Sequence, residues 1–165
     1  EIETGIHSLQ PVTGRNHLIE TDTLMILDDC YNANPASMRA SLDVLALATG
    51  RRVAVMGDMK ELGENEEQLH FETGEYAARK GIDTIVCIGP LACQMYLGAK
   101  NLASGNTVLH YTGKKEFLHD LPSLFEAGDT VLVKASNSMK FSEIVEALTE
   151  FEANTKDEIE KGAKQ

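Results

Sequence analysis

The sequence predicts an α/β fold: a three-layer α/β/α sandwich around a mostly parallel sheet, with one possible antiparallel edge strand. Three observations lead there. Short apolar runs of strand character recur along the chain, helical patterns separate them, and most runs do not alternate polar with apolar residues. A strand covered on both faces is apolar throughout, whereas one with a wet face alternates, so unalternating runs indicate a buried, largely parallel sheet. Parallel neighbours in turn need crossover connections, which are right-handed.

Residues 17–20 form the candidate edge strand and residues 24–27 the first core strand. Asn34-Pro35 then opens a helix. Asn is a strong N-cap, and Pro at the first helical position forfeits an N–H that has no helical partner there. Met38, Leu42, Leu45 and Ala46 lie on one face of that helix, with Gly50 as its stop. A strand at 53–56 precedes a helix over 66–80, with Leu69, Thr73, Tyr76 and Ala77 inward and Gly81 as the stop. Strand 84–88, helix 91–102, strand 107–111, a shorter helix at 114–121 and strand 130–133 continue the alternation. Phe141, Ile144, Val145 and Leu148 fall at i, i+3, i+4 and i+7, the spacing of one helix face. The charged stretch after Thr149 either extends this helix or frays. This order of elements is Rossmann-like, and in such sheets ligands sit beyond the carboxyl ends of the strands.

At 165 residues the chain is long enough for one domain with a sizeable core and too short for two ordinary ones. Hydrophobic residues at 42% and charged residues at 25% are a globular composition. No apolar run approaches the roughly 20 residues of a membrane span, and residues 1–10 lack the basic start and apolar centre of a signal peptide. With 15 Lys and Arg against 26 Asp and Glu, the formal charge is −11. Phosphate contacts need a basic face, so no nucleic-acid partner is expected. Cys30, Cys87 and Cys93 are odd in number and lack metal-ligand spacing, so no metal site is expected and a reduced, cytoplasmic compartment is. The first residue is Glu1, not Met, and the chain reads as an excised piece of a longer protein.

Three strand-end segments carry the chemistry. The first is Asp28-Asp29-Cys30-Tyr31-Asn32-Ala33-Asn34-Pro35. Its carboxylates can accept from sugar hydroxyls, and its Asn side chains can read an adenine edge or a metal-bound water. Helix capping alone would account for Asn34, but not for the octapeptide. The second is Met56-Gly57-Asp58-Met59-Lys60-Glu61-Leu62-Gly63, with His70 on the following helix. A single buried His is more often a hydrogen-bonded structural group than a catalyst. The third is Lys134-Ala135-Ser136-Asn137-Ser138-Met139, a cation and hydroxyls at a helix start. It reads equally as an anion site or as a cap beside a solvated Lys. Gly113-Lys114-Lys115 lacks the glycine-rich loop of a Walker A motif, and Gly57 with Gly63 is no dinucleotide fingerprint.

Taken together, Gly14-Arg15, Asp28 to Pro35, Gly57 to Gly63 with His70, and Lys134 to Ser138 resemble the C-terminal domain of Mur ligases. The family pattern runs Gly-Arg, Asp-Asp-x-Tyr-Asn-Ala-Asn-Pro, Gly-Asp-Met-x-Glu-Leu-Gly with a downstream His, and a Lys-Gly-Ser-Arg loop. The likeness covers about residues 5–148. Ala135 stands where the family has Gly, and Asn137 where it has Arg, which removes a bidentate carboxylate clamp.

Within the family, the resemblance is to the branch that adds D-alanyl-D-alanine to UDP-N-acetylmuramoyl-tripeptide in peptidoglycan synthesis. It implies that residues 1–14 end a central ATPase domain and its hinge, that 15–150 form the C-terminal domain, and that 151–165 are a charged tail. It also implies ATP and Mg²⁺ in the complete enzyme and neither on the isolated domain. Arg15, Asp29, Tyr31, Asn32 and Asn34 would face the nucleotide, with Asp29 at the ribose and Arg15 near phosphate. Asp58, Lys134, Ser136 and Asn137 would face the incoming dipeptide. No catalytic residue is expected in this domain alone, which should be inactive and monomeric.

Three other readings stay open, one of them a non-catalytic binding domain. Folylpolyglutamate and cyanophycin synthetases share this domain, although the Asp28 to Pro35 string argues against them. A phosphoacceptor receiver domain has a similar layout, with Asp28, Asp29, Asp58 and Lys134 as its acidic pair, acceptor and cation; there the Lys is normally followed by Pro, not by Ala135.

Overall fold

A computed structural model of the chain describes residues 17–152. The expected hinge at 1–14, Arg15 and most of the expected tail at 151–165 therefore lie outside the described residues. The elements are β1 (His17–Glu20), β2 (Met25–Asp29), α1 (Pro35–Leu45), β3 (Arg52–Gly57), α2 (Glu66–Arg79), β4 (Thr84–Ile88), α3 (Ala92–Leu102), β5 (Thr107–Tyr111), α4 (Lys114–Leu124), β6 (Thr130–Lys134) and α5 (Ser142–Thr149). Short 3₁₀ turns at Gly63–Asn65 and Asn137–Met139 precede α2 and α5.

The strands make one six-stranded sheet in the order β1-β2-β6-β3-β4-β5. β1 pairs with β2 antiparallel, as expected of the edge strand, and every other pair is parallel. Helices cover both faces. Met38, Leu42 and Leu45 of α1, Ala77 and Ala78 of α2, and Met95 and Ala99 of α3 form one core with Leu27, Met56, Ile85 and Leu132. Phe117 and Leu121 of α4 and Ile144, Val145 and Leu148 of α5 form the other, with Ile26, Val55, Val86, Val131 and Val133. The division follows from handedness. Connections that move from β2 through β3 and β4 to β5 go one way across the sheet and put their helices on one face. The return from β5 to β6 puts α4 on the other.

Three element boundaries differ from the sequence expectation by more than one residue. β2 continues past Leu27, because Asp28 pairs with Val133 and Asp29 with Lys134 in the ladder to β6. α1 ends at Leu45, with Ala46 as cap, and Gly50 instead passes the backbone of Gly128, where a Cβ would lie 2.7 Å from the Gly128 carbonyl oxygen. α4 runs on through Pro122 to Leu124, since the proline removes one donor only two residues before the helix ends. Gly81 does stop α2, at φ +70, where a side chain would be strained. No helix among the described residues is long and apolar enough to cross a membrane.

Candidate functional site

The segment after β2 leads to α1 on one face, the segment after β6 leads to α5 on the other, and the segment after β3 returns to the first face. The connections therefore leave to opposite faces on both sides of β6, although the strands themselves are parallel. Loops diverge at such points and leave a crevice beyond the carboxyl ends. The three chemistry-bearing segments are the three loops at this crevice.

Two clusters form there. In the first, the Lys134 ammonium donates to Asp29 Oδ2 at 2.6 Å and to the Asn32 carbonyl oxygen at 2.8 Å. Ser41 Oγ of α1 donates to the same Asp29 oxygen at 2.5 Å. Asp29 and Lys134 share a face because they are register partners on adjacent strands, each two residues beyond a Leu of the α1-side core. A cavity of about 200 Å³ opens beside them, lined also by Asn32, Asn34, Ser37 and Ser41. Tyr31, 64% exposed, stands in the same loop.

Asn34 caps α1: its side chain accepts from the Ser37 N–H at 2.9 Å, and Ser37 Oγ accepts from the Asn34 N–H at 3.1 Å. This reciprocal box satisfies donors that the first helical turn leaves free. Cys30 lies between Asp28 and the cluster. Burial first, and the neighbouring Asp28 charge second, push its thiol well above the ordinary range.

The second cluster lies between β3 and β6. Asp58 is fully buried; Oδ1 accepts from the Ala92 N–H at the start of α3 at 2.8 Å, and Oδ2 meets the Lys60 ammonium at 3.2 Å. The Lys60 N–H donates to Ser136 Oγ at 2.8 Å, and the Ser136 N–H to the Asp58 carbonyl oxygen at 3.1 Å. Gly89, at φ +122, passes so close that a Cβ there would overlap the Asp58 carboxylate. Glu61 turns the loop in the left-handed region, at φ +61, unusual for a residue with a side chain. His70 is fully buried, takes the Met59 N–H on Nε2 at 2.9 Å, and so carries its proton on Nδ1 toward the Glu66 carbonyl oxygen at 2.6 Å. It ties the loop to α2.

The structure brings Asp29, Asn32, Asn34 and Lys134 around one cavity and Asp58 and Ser136 into another network. Lys134, grouped by sequence with Ser136 and Asn137, has its ammonium in the first cluster. Asp58 has both oxygens engaged, so the exposed group of its cluster is Lys60, whose side chain is 41% exposed. Sequence reasoning passed over Lys60 and Ser41. Lys60 was visible between Asp58 and Glu61 as the one cation of its loop; Ser41, seven residues after Asn34, was visible as a hydroxyl on the buried face of α1. A receiver-like acidic pocket does not form, because Asp28 and Asp29 point to opposite faces of β2 and Asp58 is sealed in. Among the described residues, no group of three or more His, Cys, Asp or Glu side chains could hold a metal ion.

The sequence model of the family described as Mur ligase, glutamate ligase domain, matches residues 14–137. The UDP-N-acetylmuramoyl-tripeptide–D-alanyl-D-alanine ligase of Bacillus subtilis is 38% identical over 149 residues, covering 88% of this chain and 33% of that protein. The Escherichia coli ligase of the same name is 38% identical over 152 residues, covering 90% and 32%. Among solved structures, MurF from Acinetobacter baumannii superposes with a TM-score of 0.75 at 31% identity, covering 90% of this chain and 33% of that one. MurF ligase from Thermotoga maritima in complex with ADP superposes with a TM-score of 0.70 at 30% identity, covering 86% and 32%. The chain thus spans about a third of the length of the relatives it matches.

Proposed function

The chain belongs to the Mur ligase family, through its C-terminal, glutamate ligase domain, and from that premise we propose that it serves an ATP-dependent ligase that joins D-alanyl-D-alanine to UDP-N-acetylmuramoyl-tripeptide. The observation that carries this reading is the 38% identity, over most of this chain, to two ligases of that name. In the proposed reaction, the terminal carboxylate of the precursor takes the γ-phosphoryl group of ATP and ADP leaves. The neutral amine of the dipeptide then attacks the acyl carbon and phosphate leaves. Water would destroy the acyl phosphate, so the work assigned to this domain is to close over the nucleotide and deliver the amine in a dry site.

Each cluster supports one half of that work. Asp29, Tyr31, Asn32 and Asn34 face the nucleoside, with Arg15 as the cation nearer phosphate. Ser136 and Asn137 face the dipeptide, with Asp58 acting through Lys60. The side chains of the described residues do not fit a magnesium site, so Mg²⁺ would be held by other parts of the enzyme and by the phosphates themselves. The chain alone lacks a glycine-rich phosphate cradle and is expected neither to hydrolyse ATP nor to ligate. A cytoplasmic setting, where the cysteines stay reduced, goes with this reading.

A chimera tests it. The matching third of the Bacillus subtilis ligase is replaced by this chain, and product is followed by mass spectrometry with ATP, the UDP-linked tripeptide and D-alanyl-D-alanine. ATP-dependent addition of the dipeptide is expected. A well-folded chimera that ligates a different amine, or none, overturns the reading.

A further inference from the structure

We infer that Lys134 is a positioning residue of the nucleotide side, fixing the Asp29 carboxylate, and not an anchor for the carboxylate of the incoming dipeptide. The inference rests on the proposed assignment of Asp29 to the nucleoside. Lys134 is 2% exposed, and two of its three N–H donors are committed, to Asp29 Oδ2 at 2.6 Å and to the Asn32 carbonyl oxygen at 2.8 Å. To serve a dipeptide carboxylate beside Ser136 and Asn137, the ammonium would have to leave its buried counter-charge in the Asp29 cluster, which is strongly unfavourable. The anion it neutralises is Asp29.

The consequence lies in the two oxygens of Asp29. Oδ2 receives both Lys134 and Ser41, whereas Oδ1 has no partner among the described residues, and Asp29 lines the cavity with Asn32 and Asn34. One oxygen is pinned so that the other is presented in a set direction, as an acceptor for a hydroxyl. By holding the Asn32 carbonyl as well, Lys134 fixes the backbone that carries Tyr31, Asn32 and Asn34. The ligand class this suits is a nucleoside whose sugar keeps its hydroxyls, and Lys134 becomes a determinant of that preference without touching it. The exposed cation left for the dipeptide side is Lys60, on the Ser136 network.

The test uses the active chimera with Lys134→Ala, Lys134→Gln, Ser41→Ala, Asp29→Asn and the Asp29→Asn/Lys134→Gln pair. Michaelis constants are measured for ATP, 2′-deoxy-ATP, 3′-deoxy-ATP and D-alanyl-D-alanine. Loss of Lys134 should raise the ATP value about tenfold and the dipeptide value less than about twofold. The preference of the wild type for ATP over whichever deoxy analogue it rejects should shrink toward that of Asp29→Asn. Ser41→Ala should move the ATP value the same way by less. Because Lys134 acts chiefly through Asp29, its effect on ATP should shrink markedly in the Asp29→Asn background, leaving only the part carried by the Asn32 carbonyl. A general loss of structure would lower turnover without altering nucleotide preference. The inference is overturned if the dipeptide value rises most, if neither value moves, or if the two changes add. A wild-type chimera that binds ATP without ligating the dipeptide would count against the proposed function only, and Lys134 would then be judged by ATP and deoxy-ATP affinities of the same variants in calorimetry.

Discussion

Asp29 on β2 and Lys134 on β6 are register partners on adjacent parallel strands, and their charges meet at 2.6 Å with side chains 6% and 2% exposed. Buried ion pairs are expensive to form and more expensive to half-remove, because the remaining charge stays in a medium that solvates it poorly. Here Ser41 adds a second donor to Asp29 Oδ2 and the Asn32 carbonyl takes a second Lys134 N–H, which makes the pair a joint between strand, loop and helix.

Breaking that joint from one side should be costly. Asp29→Leu or Lys134→Met alone is expected to lower the unfolding free energy of the chain by about 3–5 kcal/mol, whereas the double change should recover most of the loss. Urea titrations of the three variants check this. Single variants as stable as the parent would show that the pair is solvated in solution.

Asn34 has a cap to lose and a proposed ligand contact to lose, and the two separate. Asn34→Ala should cost about 1 kcal/mol through the missing bond to Ser37. Asn34→Asp keeps an acceptor at the helix start and should keep the stability. In the chimera, however, Asn34→Asp should raise the Michaelis constant for ATP, since the amide donor is gone. If stability and that constant both match the parent, capping accounts for the residue.

Helices α2 and α3 touch backbone to backbone at two glycines. A Cβ on Gly74 would overlap the Met95 carbonyl, and one on Gly98 the Phe71 carbonyl. Backbone cannot swing away as a side chain can, so Gly74→Ala and Gly98→Ala should each cost at least about 1–3 kcal/mol. Gly113→Ala, which would meet only the Glu116 carboxylate at 3.5 Å, should stay within about 0.5 kcal/mol. Thermal midpoints of the three would decide it; equal midpoints would mean the helices pack further apart.

Partial burial, and then the hydrogen bond to Asp120 at 2.8 Å, push the Tyr111 phenol up to about 12. The fold therefore favours its neutral form. Its contribution is complete below the ordinary phenol value of about 10 and is lost as pH climbs from there to about 12. Tyr111→Phe should lower stability near neutrality, where that contribution is complete, and flatten the decline in that window. Denaturant midpoints from pH 7 to 12 test this, and identical slopes in parent and variant would refute it.

Much of the fold was legible because its signals are local. Residues 84–88 and 107–111 read as strands to the residue, since an apolar run between helical patterns has few alternatives. Asn34-Pro35 opened α1 as expected, because a capping box lies within four residues of sequence. The apolar spacing of Phe141, Ile144, Val145 and Leu148 likewise located α5, all four being buried. Boundaries slipped where a distant partner decided them: β2 gained Asp28 and Asp29 from its ladder with β6, and Gly50 answered to Gly128 rather than to its own helix.

The sequence by itself determined that this is an α/β domain of the Mur ligase family and which three loops carry its polar residues, because periodicity, capping and motif order all act over short stretches of chain. Tertiary structure alone decided how the polar groups of those loops are grouped. Handedness narrows where a returning strand can go, but only the folded sheet inserts β6 between β2 and β3. That insertion carries Lys134 across 105 residues of sequence to Asp29, away from the Ser136 beside it in the chain, while Gly89 and the start of α3 close over Asp58 and leave Lys60 at the surface. Charges pair according to distance and desolvation in space, and neither quantity is written in sequence separation.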